Sequence, residues 1–326
     1  MAVKMGKFVQ YAALGMVALT LSSRSGGQSV SVPQSPPPLP PAQLLPSDAA
    51  MGEETIRFLE QRVKHDPEDF IAYNKLAGCY LQRVRETGDL AYLQLASRAA
   101  RASRAVLSPE QNTGGLTALA QVEYTSHEFA AARDHARRLT ELEPGKGYPF
   151  QILGDALLEL GEYGQAEEAF RQMEQLGGVQ GLTKVAVEQR LARLAALHGD
   201  PDTARRSLAS ALTMAFALPV PPRETVAWCW WQLGETAFGI GDYAAAEQHY
   251  RDALTTFPDY FRALASLGRV RAARGDLSGA IEYYERAVRI IPDPTFVATL
   301  GDLLALSGKS DEAEKQYTLV EYIEHV

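Results

Sequence analysis

Residues 234–250 read GETAFGIGDYAAAEQHY, and Gly239 and Gly241 within them are close to the glycine pattern of a dinucleotide-binding loop. Such a loop must follow a β-strand and open a helix, because its backbone holds a phosphate at the helix N-terminus. The preceding residues 225–238, TVAWCWWQLGETAF, place their apolar side chains at helical rather than alternating spacing. The stretch therefore predicts a tight corner between two helices and no phosphate site.

The same arrangement recurs along the chain. Segments that start at Phe150, Trp230, Leu264 and Val297 share a Leu-Gly pair, a corner glycine, and then an alanine followed four residues later by an aromatic residue. The glycines of the Leu-Gly pairs are Gly154, Gly234, Gly268 and Gly301; the corner glycines are Gly161, Gly199, Gly241, Gly275 and Gly308; the alanines are Ala132, Ala166, Ala204, Ala246, Ala280 and Ala313; the aromatic residues are Phe170, Tyr250, Tyr284 and Tyr317. So regular a pattern predicts an internal repeat of helical hairpins.

Each repeated position has a physical reason. The small residue after leucine lets two helices approach closely, and the corner glycine takes a left-handed backbone conformation without a Cβ clash. The alanine and the aromatic residue lie on one helical face, where they fill the groove of the neighbouring helix pair. Prolines at positions 109, 144, 258 and 292 end the second helix of their units.

This pattern resembles the tetratricopeptide repeat, a helix–turn–helix unit of 34 residues. The resemblance covers about residues 54–326 and implies an all-α, right-handed superhelical solenoid of about seven units. The chain resembles exported bacterial proteins with many such repeats, mostly without assigned activity, and this resemblance implies binding rather than a reaction. Full repeats are expected to begin near Phe70, Thr113, Gly147, Val185, Ala227, Phe261 and Pro294, after a lone helix that closes at Pro67.

The N-terminal sequence predicts export. Lys4 and Lys7 precede an apolar run from Phe8 to Leu21, which as a helix would rise roughly 21 Å, short of the ~30 Å hydrocarbon core. Residues 1–25 therefore read as a signal peptide or an N-terminal anchor, and both a cleaved signal and an uncleaved membrane tether stay open. The expected location is extracytoplasmic, either periplasmic or secreted.

Two further divisions of the chain follow from composition. Residues 26–50 are rich in proline and serine and predict a disordered linker, which leaves residues 51–326 for the solenoid. Prolines at 219, 221 and 222 predict a joint or bend near residues 216–224.

Composition also limits the chemistry. A formal net charge of −8 argues against nucleic-acid binding. Cys79 and Cys229 lie far apart in helical apolar stretches, which favours core positions, although a bridge between them stays open in an exported protein. The six histidines show no metal-ligand spacing, and no nucleophile elbow or phosphate loop occurs. We therefore predict no enzyme, no catalytic residues, no metal and no cofactor.

In a solenoid of this kind the first helices of successive units line a concave groove that recognises peptides. The candidate groove residues are Tyr124, Gln151, Asp155, Gln189, Arg193, Trp228, Trp231, Glu235, Arg262 and Arg269. The best patch among them is Trp228, Trp231, Arg262 and Arg269, because aromatic and arginine side chains dominate binding hot spots. The main hypothesis is a non-catalytic scaffold that binds protein or peptide partners in this groove.

Clustered arginines support an alternative. Arg98, Arg101 and Arg104 share one helix side, and Arg133, Arg137 and Arg138 form a second group. These side chains form either solvated faces paired with nearby acids or a surface for an anionic glycan or lipid. In the second case the chain is an accessory protein of envelope assembly.

The last residues, VEYIEHV, fall within the second helix of the last unit, and no polar capping helix follows them. Solenoids usually cover their last apolar face with such a helix. The final unit is expected either to pack on a partner or a second copy of the chain, or to belong to a truncated sequence.

Overall fold

The structure is a computed structural model that describes residues 38–46, 49–176 and 181–325. All regular elements in these ranges are α-helices. The predicted signal or anchor, residues 1–25, and residues 26–37 of the predicted linker lie outside the described residues. No described helix combines the length and the apolar character that crossing a membrane requires.

Fifteen helices follow one another in the described part of the chain. They are α1 (Ala49–His65), α2 (Phe70–Thr87), α3 (Leu90–Val106), α4 (Thr113–Thr125), α5 (Phe129–Leu142), α6 (Gly147–Glu159), α7 (Tyr163–Leu176), α8 (Gly181–Leu197), α9 (Pro201–Phe216), α10 (Arg223–Gly239), α11 (Tyr243–Thr256), α12 (Phe261–Ala273), α13 (Leu277–Ile290), α14 (Pro294–Leu306) and α15 (Ser310–His325). From α2 onward they form seven consecutive pairs, and each pair packs on the next. The all-α solenoid of about seven units is therefore confirmed, with α1 as the lone helix before the first pair.

Two of the helices that open a pair begin earlier than the repeat pattern suggests. Helix α8 begins at Gly181 and α10 at Arg223, each four residues before the expected starts at Val185 and Ala227. Pro222 lies just before α10 with a φ of −74°, which suits the entry to a helix, so the proline run does not delay the helix start. The predicted joint at residues 216–224 lies between α9 and α10, which pack on each other; a bend there stays a prediction.

The stretch with two glycines is a helix corner. Gly241 has a φ of 80°, and Asp242 after it caps α11 by accepting the Ala245 N–H at 3.0 Å. The other corner glycines that the repeat pattern marks have φ values between 74° and 82°. At the α4–α5 corner the left-handed position is filled by His127, with a φ of 61°.

The glycines of the Leu-Gly pairs make room for an aromatic ring. A Cβ atom placed on Gly268 would lie 2.6 Å from Cδ2 of Tyr284, and one on Gly234 would overlap the Tyr250 ring. The two positions are sixteen residues apart in each case. In the repeat where the first position is Ala120, the second is Ala136. The size of one residue is thus matched to that of the other across these hairpins.

Part of the predicted linker lies on the helices. Leu45 is 5% exposed, and its N–H donates to the Thr256 carbonyl at 3.3 Å. Leu39 and Ala42 pack against the same hydrophobic cluster, which includes Trp230. Residues 38–46 therefore form a strap against the helix pair α10–α11.

The first helix pair also reaches the sixth. A Cβ atom on Gly88, at the α2–α3 corner, would lie 2.6 Å from Cδ1 of Ile291 and 3.3 Å from Cζ of Phe261. Ile291 follows α13 and Phe261 begins α12. Because the pair α2–α3 touches the pair α12–α13, the inner helices of the intervening pairs enclose a common space.

Candidate binding cavity

A cavity of about 570 Å³ lies inside this arrangement. Side chains from the first helices of six consecutive pairs, α2, α4, α6, α8, α10 and α12, line it. These are the helices that the repeat pattern assigns to the inner face. The volume is within the range of sites that bind peptides or small molecules.

The cavity brings together most of the groove residues predicted from the sequence. Tyr124, Gln151, Asp155, Gln189, Arg193, Trp228 and Arg262 line it. The other three candidates, Trp231, Glu235 and Arg269, do not line it and bond to the neighbouring pair instead. That any of the ten binds a partner stays a prediction.

Along one wall of the cavity, ion pairs and hydrogen bonds connect successive inner helices. Arg190 of α8 pairs with Asp155 of α6 through two hydrogen bonds, at 3.1 Å from Nε and 2.7 Å from Nη2. Arg193 donates to Glu159 at 2.5 Å, and the Tyr124 hydroxyl donates to the same carboxylate at 3.2 Å. Burial, assisted by the Asp155 charge, raises the pKa of Tyr124 to about 12. The bidentate Arg190–Asp155 pair fixes both side chains in one orientation, so this wall is preorganised.

Glu235 is the centre of a separate network. Its carboxylate accepts from the Tyr250 hydroxyl at 2.7 Å, from Ser266 Oγ at 2.9 Å, and from Arg269 Nη2 at 2.5 and 2.7 Å. Trp231 Nε1 donates to Ser266 Oγ at 2.9 Å. The predicted patch of two tryptophans and two arginines is therefore divided. Arg269 and the Trp231 N–H are used in holding α10, α11 and α12 together, while Trp228 and Arg262 face the cavity.

Several lining residues were missed by the sequence reasoning. Gln82 and Arg85 lie on α2, where the extra residues before Leu90 obscure the repeat register. Glu224 lies before the expected start of its repeat at Ala227. A search for polar residues three apart on α2 would have found Gln82 and Arg85, but no local signal places Glu224 beside them.

Glu224 differs from Asp155, the other acidic residue that lines the cavity. It is 8% exposed, and within the described residues its carboxylate makes no hydrogen bond and no ion pair. Burial raises the pKa of Glu224, and the positive charges of Arg85 and Arg262 act against that rise. A largely buried carboxylate without a protein partner is costly, so a ligand group that bonds to Glu224 would lower that cost.

The second arginine group outside the cavity is paired with acids. Arg138 contacts Glu110 at 2.9 Å and Glu141 at 2.6 Å, and Arg133 contacts Asp134 at 2.8 Å and Glu162 at 3.2 Å. These are the pairs of a solvated helix face. In the first group, Arg104 donates to the Leu107 carbonyl, while Arg98 and Arg101 have no ion-pair partner among the described residues.

The two cysteines are free thiols in the structure. Cys229 is fully buried, which raises the pKa of its thiol to about 12, and the half-buried Cys79 also has a raised pKa because of burial. No group of three or more His, Cys, Asp or Glu side chains suited to a metal occurs within the part of the chain that is described.

A comparison with models of protein families identifies repeats along the chain. Two tetratricopeptide repeat models match, one over residues 117–178 and 232–294 and the other over residues 185–259, and together they span more than half of the chain. The chain belongs to the tetratricopeptide repeat family. A comparison with curated protein sequences finds no match.

Solved structures share the fold of this tetratricopeptide repeat chain. The APC/C hetero-tetramer Cut9-Hcn1 aligns with a TM-score of 0.62 at 17% identity, covering 79% of this chain and 46% of that chain. PilW, described as a widely conserved type IV pilus biogenesis factor, aligns with a TM-score of 0.50 at 16% identity, covering 64% of this chain and 91% of that chain. The chain thus spans less than half of the Cut9-Hcn1 chain that it matches. At these identities the likeness shows the fold alone.

Proposed function

We propose that this chain is a non-catalytic scaffold that holds an extended segment of a partner protein in the cavity between its inner helices. Tetratricopeptide repeats and the structures that share them support a role as a protein–protein interaction scaffold. The observation that carries the finer proposal is the cavity of about 570 Å³ with lining residues from six inner helices. A cavity lined by successive units suits an extended peptide, because the units present side chains at regular intervals.

Trp228 is the aromatic anchor in this proposal, because it lines the cavity and is half-buried. We expect Trp228→Ala to weaken binding of a cavity ligand at least tenfold, as truncation of an aromatic hot spot commonly does. The probe is a set of fluorescein-labelled 12-residue peptides, selected against the wild-type protein from a random display library. Fluorescence anisotropy gives their dissociation constants.

Trp231→Phe is the matched control. The variant keeps a smaller aromatic ring next to Arg262, and the lost hydrogen bond to Ser266 lies outside the cavity, so binding should change less than threefold. Equal losses in the two variants, or selected peptides that bind the Trp228→Ala variant as well as the wild type, would contradict a cavity site.

We also propose that binding takes place outside the cytoplasm, on the basis of the N-terminal sequence. Lys4, Lys7 and the apolar run after them have the order of a signal peptide. Fusing residues 1–27 to a reporter enzyme that needs disulfides for activity should give an active reporter in bacterial cells. An inactive reporter that stays in the cytoplasmic fraction would reject export.

Two other hypotheses from the sequence, an anionic ligand and self-association, stay predictions. An anionic glycan or lipid ligand has Arg98 and Arg101 as its best remaining contacts, since the second arginine group is paired with acids. Binding through such exposed arginines should fall steeply with salt, whereas binding through Trp228 should not. Self-association through the last helix pair would be seen as a concentration-dependent mass in sedimentation experiments.

A further inference from the structure

Two arginines of the cavity have no acidic partner among the residues that the structure describes. Within that part of the chain, Arg85 donates to Gln82 on its own helix. Arg262 lies over the rings of Phe261, at 4.7 Å, and Trp231, at 5.9 Å, and no carboxylate of the described residues forms an ion pair with it. Arg190 and Arg193, in contrast, are neutralised by ion pairs across the opposite wall.

The charges of both arginines act on Glu224, but Glu224 forms no hydrogen bond or ion pair with either of them. More than nine-tenths of it is buried, it lines the cavity, and within the described residues it makes no hydrogen bond or ion pair. Arg85 and Arg262 are close enough for their charges to favour its ionised form. Charged groups in largely buried residues are normally paired, so the protein leaves the Glu224 carboxylate to the solvent or the ligand of the cavity.

The charge balance decides which partner fits. Once the two ion-paired arginines are set aside, the cavity presents two guanidinium groups and one carboxylate, Glu224. A basic ligand would pair with Glu224 but would add a third positive charge beside Arg85 and Arg262. An acidic ligand gives both guanidinium groups a planar acceptor, and Glu224 can take a proton from water and donate it to the ligand oxygen.

We propose that the partner segment held in the cavity is acidic, with the carboxylate of one Asp or Glu side chain accepting hydrogen bonds from Arg85 and Arg262 beside Glu224. This inference rests on the proposed function, because it names the chemistry of the segment that the same cavity holds. Arg85 and Arg262 come from the first and sixth helix pairs. A bound carboxylate would therefore join the first and the last of the helices that line the cavity.

The test uses the 12-residue peptides selected against the wild-type protein, all with an amidated C-terminus, each made also with its Asp and Glu residues changed to Asn and Gln. We expect the selected peptides to be acidic and their neutral versions to bind at least tenfold more weakly. Arg85→Met and Arg262→Met should each weaken binding of the acidic peptides at least tenfold. Arg171→Met, which removes an exposed arginine paired with Glu167 and Glu168 on α7, should leave the dissociation constant within twofold.

The Glu224→Gln variant distinguishes an acidic ligand, bound by the two arginines, from a basic ligand, bound by Glu224. Its amide keeps the shape and removes the negative charge, so the acidic peptides should bind the variant severalfold more tightly than the wild type. The Glu224→Gln variant should also unfold at a higher temperature at neutral pH. Burial raises the pKa of the Glu224 carboxyl in the folded state. Ionised Glu224 therefore destabilises the wild type at a pH above that raised pKa, and this cost is absent below the pKa of the unfolded state.

Three results would overturn the inference. Weaker binding to Glu224→Gln, together with basic selected peptides, would make Glu224 the contact for a cation. Neutral peptides that depend on Trp228 but bind the two Arg→Met variants normally would leave the proposed function standing and remove only its acidic partner. If no selected peptide depends on Trp228, the scaffold proposal fails first, and this inference fails with it.

Discussion

Gly234→Ala should lower the free energy of unfolding by about 2 kcal/mol, the usual cost of overpacking a close-packed interior. A Cβ atom at this position would overlap the ring of Tyr250, which is 0% exposed. The ring has little freedom to move, because its hydroxyl donates to Glu235 at 2.7 Å. Guanidinium denaturation, followed by circular dichroism, measures the loss.

Gly239→Ala is the control on the same helix. Nothing lies within 4 Å of a Cβ atom at Gly239, so this substitution meets no clash. Alanine is favoured over glycine in a helix by about 1 kcal/mol, and the control should be neutral or slightly more stable than the wild type. If both variants lose stability equally, the loss comes from the glycine backbone and not from the ring.

A second substitution should rescue the first. The equivalent positions of the α8–α9 pair hold Ala192 and Leu208, both buried in the same cluster, so an alanine is accepted there opposite a leucine. Tyr250→Leu in the Gly234→Ala background should therefore recover part of the lost stability. In a double-mutant cycle the two changes are expected to couple by at least 1 kcal/mol. Additive effects would show that the two sites do not share a packing constraint.

These positions show how far the sequence predicts the fold. The spacing of Leu-Gly, corner glycine, alanine and aromatic residue is local information, so it predicts the helix pairs and the left-handed corner at Gly241. The contact between each Leu-Gly glycine and its aromatic ring is not local. The two residues are sixteen positions apart, and they meet only when the helical hairpin closes. Once the hairpin is assumed, Gly234 and Tyr250 are paired by size.

The cavity was predictable only in part. Inner positions within one unit follow from the repeat register, and Trp228 and Arg262 were found in this way. The approach of Arg85 to Glu224 depends instead on the rotation that accumulates over several units, which brings the first pair to the sixth. No single repeat contains that information, and neither residue was a candidate.

Charge complementarity between neighbouring units was also missed. Glu235 and Arg269 have the side-chain types of a binding patch, and the sequence places both on the inner register. They are 34 positions apart, so adjacent units bring them together and they bond to each other. Pairs of opposite charge separated by one repeat length are thus better assigned to the interface between units than to a partner.

Glu235→Leu should test this assignment through stability. The substitution removes the acceptor of Tyr250, Ser266 and Arg269 at once and leaves a buried tyrosine hydroxyl without an acceptor. Breaking a buried charged network costs up to 5 kcal/mol, but Arg269 is 41% exposed and water screens part of its charge. We therefore expect a loss of about 3 kcal/mol in the free energy of unfolding.

Glu168→Leu provides the same chemical change on an exposed helix face. Glu168 is 52% exposed and pairs only with Arg171 and Gln172 of its own helix, so the expected loss is under about 0.5 kcal/mol. The folded Glu235→Leu variant should bind the selected peptides within twofold of the wild type, since Glu235 does not line the cavity. A large loss of binding with unchanged stability would instead return Glu235 and Arg269 to the partner-binding surface, because only a direct contact with the peptide would separate the two effects in that way.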